Sequence, residues 1–325
     1  MFLAGVAAAS GECWEQLRKF TLNTFRIFGV GRRSFEEQVS TEAKALVNEF
    51  HLRKASSFNP QHVLTNTTSN VICSVIFGKR YEYSDEKFHR LLNLINEFAK
   101  IFGPSGIIFF IPFANYLLPK SYKTLSKNFT DITEFINKII DEHRANHDPN
   151  DTKDFIDACL NELAKDDTIR SPHLNSATFL MTLINLFGAG TETTSTTLRW
   201  SLLYMMKYPD IQQKIQQEID SVVGRDRFPK LSDAPQLPYT EAVLLEVQRI
   251  ASVAPLGVIH SAANAATIKG FYIPKGSFIV PHLQAVHHDD QIWENPSEFK
   301  PSRFLEQSGK VKQYEELIPF STGTY

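Results

Sequence analysis

Cysteine is scarce in this chain. There are three, Cys13, Cys73 and Cys159, scattered with no short spacing between any two. That excludes a disulfide framework and a cysteine-based structural zinc, and it points to a reducing compartment. An excess of either charge is lacking too: 34 Lys and Arg face 36 Asp and Glu, for a net charge of -2. No global field therefore recruits nucleic acid or any other polyanion. No signal peptide is legible, because the apolar stretch from Phe2 to Ala9 is short and has no charged leader. Uninterrupted apolar runs of membrane-spanning length are missing as well. Ile101–Pro119 is broken by Gly103, Pro104, Gly106 and Pro112, which predicts an apolar surface loop. Ser171–Thr191 carries no Asp, Glu, Lys or Arg, but it contains Asn175, Thr182 and Asn185 and runs on into Glu192 and Arg199, which predicts a core helix. Strand signal is confined to one segment, Thr267–Val280, expected to form two short strands about the Pro274-Lys-Gly276 turn.

What is present suits a large core. The chain has 325 residues, 42% hydrophobic and 22% charged, enough for one big domain or two ordinary ones. Its 25 phenylalanines fit a protein that encloses something bulky and apolar. The most unusual stretch is Asn185-Leu-Phe-Gly-Ala-Gly-Thr-Glu-Thr-Thr-Ser195, on a helical apolar pattern through Phe179, Leu183, Phe187, Leu198 and Leu202. Gly188 and Gly190 each weaken a helix by roughly 1 kcal/mol relative to Ala. They also make room beside the backbone. Two readings stand side by side: a groove for a cofactor or substrate in which Glu192 and Thr193 handle protons, or a core helix with a tolerated glycine pair and a glutamate that reaches solvent.

The rest of the chain is mostly helical in pattern. Over Glu12–Phe28, Trp14 and Arg18 are four apart and share a face. No acidic residue occurs between Gln16 and Phe35, while Arg18, Lys19, Arg26, Arg32 and Arg33 do; this is a docking patch for an acidic partner or a solvated face. Ser34 and Glu37 match a capping box, Asn59-Pro60 opens a helix that Gly78 stops, and Ser84 precedes a helix through Phe98. Ser121–His143 is helical, His147–Asp151 is a turn, and a short helix passes through Phe155 and Leu163. Tyr208-Pro209 restarts the chain in a helix that ends at Gly224, and another runs from Tyr239 to Ile250. Glu246 and Arg249, three apart, can pair within it, an arrangement usually worth little. His287-His288-Asp289-Asp290 contains metal-ligating residue types, but adjacent residues point in different directions and no partner cluster stands out.

Five motifs occur in order: Trp14-xxx-Arg18, Ala189-Gly-Thr-Glu-Thr193, Glu246-xx-Arg249, Pro301-Ser-Arg-Phe304 and Pro319-Phe-Ser-x-Gly323. Together they resemble the cytochromes P450, in particular animal microsomal members of the second family, over nearly the whole chain. The resemblance implies a mainly α, incomplete P450 fold: one partial domain over residues 1–325, with a long central helix and a small β region. It implies an oxidoreductase that uses heme (iron protoporphyrin) to insert one oxygen atom into lipophilic substrates such as fatty acids, steroids and foreign compounds, with electrons from NADPH through a reductase. By position, Trp14, Arg18 and His260 would contact the heme propionates, Ala189 and Gly190 would line the oxygen-binding face, and Phe320 would belong to the heme-ligand loop. Thr193 would hydrogen-bond the bound oxygen and Glu192 would relay protons. Glu246, Arg249 and Arg303 would form a buried structural ion network. The basic patch near Arg18 and Lys19 would face the reductase, and the segment 101–118 would touch the endoplasmic reticulum membrane on its cytoplasmic side.

The resemblance also has gaps. The family's iron ligand is a cysteine in the loop Phe-x-x-Gly-x-Arg-x-Cys; Phe320 and Gly323 fit it, but Tyr325 occupies the arginine position and the cysteine would lie beyond it. Cys13, Cys73 and Cys159 fall in segments resembling other helices, so none is expected to substitute. The amino-terminal anchor of the family has no counterpart. The competing expectation is therefore a truncated, inactive relative that binds apolar ligands or a partner, or a fragment without function; the sequence expectation is that this chain alone does not catalyse the reaction.

Overall fold

The computed structural model describes residues 5–30, 33–54, 56–102, 119–166 and 168–322. Of the apolar loop expected over Ile101–Pro119, residues 103–118 lie outside them, while its ends are helical: Ile101 and Phe102 close one helix and Pro119 opens the next. The terminal Gly323 also lies outside them. Contacts divide the chain into two units, residues 1–195 and 196–325.

The first unit holds α1 (Gly11–Ile27), α2 (Arg33–Leu52), α3 (Gln61–Ile76), α4 (Glu86–Phe102), α5 (Pro119–Ala145), α6 (Phe155–Leu163) and most of α7 (Ser176–Lys207). Its core follows the apolar spacing. Leu125, Ile132, Ile136 and Ile139 line α5 at 3% exposure or less, and the three isoleucines share one cluster with Phe88, Leu91 and Ile95 of α4. Aromatic contacts tie α1, α3, α6 and α7 together. Phe20 meets Phe155 at 5.7 Å and Phe179 at 4.9 Å, and Phe77 meets Phe187 at 5.6 Å. Burying each such ring stabilises the unit by about 1.5–3 kcal/mol. Cys73 and Cys159 lie in this core, where burial pushes both thiols up, so neither presents a thiolate.

Helix ends differ slightly from the sequence expectation. α2 begins at Arg33, so Ser34 falls inside the helix rather than at its cap. Ser84 does precede α4, and the cap itself is Asp85, whose Oδ1 accepts from the N–H groups of Lys87 (2.9 Å) and Phe88 (3.0 Å). Gly78 closes α3 at φ +63°, and a Cβ there would sit 2.4 Å from Asp154 Oδ2. No helix among the described residues is long and apolar enough to cross a membrane. The polar residues of the Ser171–Thr191 run have local work instead: Thr182 Oγ1 accepts from Val6 N–H (3.3 Å) and Asn185 Oδ1 from Ala7 N–H (3.2 Å).

The second unit contains the end of α7, α8 (Pro209–Val222), a 3₁₀ turn (Leu231–Gln236), α9 (Pro238–Ala251), four short strands, α10 (Leu283–His287) and a second 3₁₀ turn (Pro301–Phe304). The strands are β1 (His260–Ser261), β2 (Ala266–Ile268), β3 (Phe271–Ile273) and β4 (Phe278–Ile279). Short strands do lie on either side of the expected Pro274-Lys-Gly276 turn, β3 before it and β4 after it, but they do not pair with each other and the segment holds a further strand, β2. β2 pairs antiparallel with β3 across Lys269-Gly270, and β4 pairs with β1. Lys269 (φ +47°) and Gly270 (φ +85°) both adopt left-handed backbone, the geometry of a two-residue hairpin loop whose twist matches the strands.

Candidate functional site

Phe187, Thr191 and Ser195 follow one another at i+4 along α7 and are 0–1% exposed. Two residues further round, at about 200° of helical rotation, Ala189 and Thr193 are exposed. The helix therefore buries one stripe and presents a small methyl and a hydroxyl on the other. Thr193 Oγ1 donates to the Ala189 carbonyl at 2.7 Å, which parks the hydroxyl against its own helix. Glu192 is half-buried beside it.

The buried stripe is fixed by polar contacts to α3. Ser69 Oγ lies 3.2 Å from Thr191 Oγ1, and Thr68 Oγ1 donates to the Thr191 carbonyl at 3.3 Å. Thr68 and Ser69 escaped the sequence reading, which gave α3 no functional residue. The available signal was the polar run Thr65-Asn-Thr-Thr-Ser-Asn70, buried throughout inside an otherwise apolar helix. Such a run needs internal partners.

The two glycines do different things. A Cβ on Gly190 would come within 3.1 Å of Ile72 Cδ1, so this glycine lets α3 and α7 approach closely. A Cβ on Gly188 would meet nothing within 4 Å, so the room beside the backbone lies there. Gly188→Ala is expected to raise the unfolding free energy by about 0.8–1 kcal/mol through helix propensity alone; a lower urea midpoint would show that the space is needed by the fold itself.

Trp14 and Arg18 do share a face: the guanidinium carbon sits 5.5 Å from the indole centroid. Both are half-buried, and among the described residues no carboxylate pairs with Arg18. Lys19 and Arg26 are exposed on the same helix, while Arg32 lies outside the described residues. In the second unit, His260 is exposed on β1 with Nδ1 3.0 Å from the Val258 carbonyl, and Phe320 is 87% exposed.

Glu246, Arg249 and Arg303 converge. Glu246 and Arg249 are both fully buried. Arg249 binds Glu246 through two donors, Nε to Oε2 at 2.7 Å and Nη2 to Oε1 at 2.9 Å. It also donates to the carbonyls of His287 (2.8 Å), Pro296 (2.9 Å) and Glu298 (3.3 Å), with Trp293 stacked at 5.3 Å. Glu246 Oε1 accepts further from Arg303 Nε (3.1 Å) and Lys300 N–H (2.8 Å). The pair is thus the hub of a loop, not the weak isolated pair that its spacing alone suggests.

His287 is buried as well, with both ring nitrogens committed. Ile318 N–H donates to Nε2 (3.1 Å), so Nδ1 carries the proton and donates to Ser252 Oγ (2.9 Å). Burial, with His288 and Arg249 adding, lowers its pKa to about 4.

Comparison with known proteins bears on all of this. The family model described as Cytochrome P450 matches residues 3–324. Cytochrome P450 2B15 of Rattus norvegicus is 39% identical over 321 residues, covering 98% of this chain and 65% of its own length. Cytochrome P450 2B4 of Oryctolagus cuniculus is 39% identical over 322 residues, again 98% and 65%. Cytochrome P450 2J2 of Homo sapiens is 39% identical over 321 residues, 98% of this chain and 64% of its own. The chain spans about 65% of the length of the curated relatives it matches. With its mainly α architecture and a family match from end to end, the chain belongs to the cytochrome P450 family.

Proposed function

We propose that this chain carries part of a haem-dependent monooxygenase that inserts one oxygen atom into lipophilic substrates, with electrons delivered from NADPH by a reductase. The observation that carries the reading is the exposed face of α7 at Ala189 and Thr193, on a helix whose opposite stripe is fully buried. A small methyl and a hydroxyl on a rigid helix suit the face of a flat, apolar macrocycle. The second requirement, a cation for its carboxylates, is met by Arg18, a half-buried guanidinium stacked on Trp14 with no carboxylate of its own among the described residues. The helix face and the propionate partner therefore suit haem, while neither Cys73 nor Cys159, buried in the core, is placed as a thiolate for its iron. Bound haem supplies the oxygen-activating chemistry.

The protein's own residues then have separable tasks. Arg18 and Trp14 would hold and neutralise a propionate, with His260 as a further donor. Ala189 and Gly190 would keep the helix surface shallow. The Thr193 hydroxyl, one rotamer away from its bond to the Ala189 carbonyl, would donate a hydrogen bond at the reaction face, and Glu192 would exchange protons with solvent. Phe320 would pack in the ligand loop, and the Glu246–Arg249–Arg303 hub would hold the loop 287–300 in shape. The two units would be parts of one partial domain. Lys19 and Arg26 would meet an acidic reductase surface, and the chain would work at the cytoplasmic face of the endoplasmic reticulum membrane.

The test is equilibrium titration of the purified 325-residue chain with haem, followed by the Soret band. Saturable uptake is expected, weakened about tenfold by Arg18→Leu, the scale of one charge-assisted hydrogen bond. An absent Soret shift, or equal affinity in the variant, would overturn the reading.

A further inference from the structure

The junction of α5 and α6 gathers two histidines and two aspartates from a short stretch of chain. His143 Nδ1 donates to the Ile139 carbonyl at 2.8 Å, which turns Nε2 toward Asp154 Oδ2 at 2.7 Å. His147 Nε2 donates to Asn161 Oδ1 at 2.9 Å, and the Asn161 amide nitrogen is committed to Thr152 Oγ1 at 2.8 Å. That leaves His147 Nδ1 buried with no hydrogen-bond partner, 3.6 Å from Asp157 Oδ1. Each aspartate is oriented by its other oxygen: Asp154 Oδ1 accepts from Asp157 N–H (2.9 Å) and Asp157 Oδ2 from Lys153 N–H (3.0 Å).

This is how ligands are held around a metal. Every inward-facing atom belongs to a side chain whose outward atom is fixed by a backbone group or an amide, and such outer partners set tautomer and ring orientation. Ligand atoms of His143, Asp154 and Asp157 all lie within 4.8 Å of one another. The two histidine side chains are each 15% exposed, and those of Asp154 and Asp157 are 3% and 9% exposed. Two buried carboxylates need compensating charge. Without a metal, His143 supplies part of it: both its ring nitrogens face acceptors, the Ile139 carbonyl and Asp154 Oδ2, so the ring is an imidazolium paired with Asp154. Lys153 directs its ammonium to Asp151 at 3.1 Å. A divalent ion taking the place of the His143 Nε2 proton would balance both aspartates. The backbone at Gly78 closes over Asp154, since a Cβ there would lie 2.4 Å from Oδ2.

We propose that His143, Asp154 and Asp157 bind one divalent first-row cation of the zinc type, with His147 Nδ1 moving in as the fourth ligand. The nitrogen-and-carboxylate donor set matches that class. The site is independent of haem and of the exposed face of α7.

The experiment takes the full chain after chelator treatment and titrates it with Zn²⁺ against an indicator, and with Co²⁺ for its visible d–d bands. One equivalent of Zn²⁺ is expected to bind and raise the melting temperature. His147→Ala removes the fourth ligand and should weaken Zn²⁺ by more than the roughly 10–100-fold that losing an outer partner costs, with little change in the metal-free melting temperature. Asp157→Asn keeps an acceptor for Lys153 N–H, so it should fold yet lose stoichiometric binding. No equivalent bound by the unaltered chain, or affinities unchanged in either variant, as surface histidines would give, would overturn the proposal.

Discussion

Arg249→Leu is expected to lower the unfolding free energy by about 3–5 kcal/mol, because it strands a buried carboxylate rather than merely deleting an attraction. The substitution removes two bonds to Glu246 and three to the carbonyls of His287, Pro296 and Glu298. The His287 carbonyl ends α10 and the other two lie in the loop beyond it, so no ladder takes over. Since whole proteins are stable by about 5–15 kcal/mol, one side chain decides whether the unit is folded at body temperature. Urea unfolding followed by circular dichroism measures it. The paired variant Glu246→Leu with Arg249→Leu should recover only part of the loss, because Arg303 and Lys300 N–H then lack their acceptor. A single-variant loss below about 1 kcal/mol would place the pair among dispensable ion pairs.

Acid should destabilise the same region through His287. Its folded pKa of about 4 lies below the unfolded value of about 6.5. A group depressed in this way contributes its full stability above pH ~6.5 and loses it as the pH falls toward 4, because the unfolded chain takes up the proton first. Protonating Nε2 would also set a new N–H against Ile318 N–H, close to the Arg249 guanidinium and with His288 adding repulsion. After allowance for solvent screening, the expected loss between about pH 7 and pH 4.5 is about 2 kcal/mol. In His287→Asn that part of the slope should vanish while the remaining acid sensitivity persists. Parallel pH profiles for the two proteins would show that His287 is not the titrating group.

Much of this architecture was readable from residues alone, and the failures are instructive. The helices were visible because their cores repeat at 3.6-residue spacing and because Asn59-Pro60, Gly78, Tyr208-Pro209 and Gly224 punctuate them. Ser84 and Asp85 are both good caps, and only the backbone geometry decides between them. The sequence showed the Pro274-Lys-Gly276 turn but not the second one at Lys269-Gly270, and it could not give the pairing, because register depends on partners distant in sequence. Spacing showed that Glu246 and Arg249 could meet. It could not show that three carbonyls from beyond residue 286 would converge on the same guanidinium. His287 looked like a ligand by residue type; its burial and the donor from Ile318 are tertiary facts.

The hairpin of β2 and β3 has a consequence for how the chain behaves in solution. Two strands of three residues each leave an open row of backbone donors and acceptors along their outer margins, and Ile268, Phe271 and Tyr272 on them are 57%, 76% and 70% exposed. A short, greasy ribbon of this kind is a template for further strands. Among the described residues only the lysine at its tip, Lys269, guards it with charge. In concentrated solution this open margin is a place where a strand from another copy can pair.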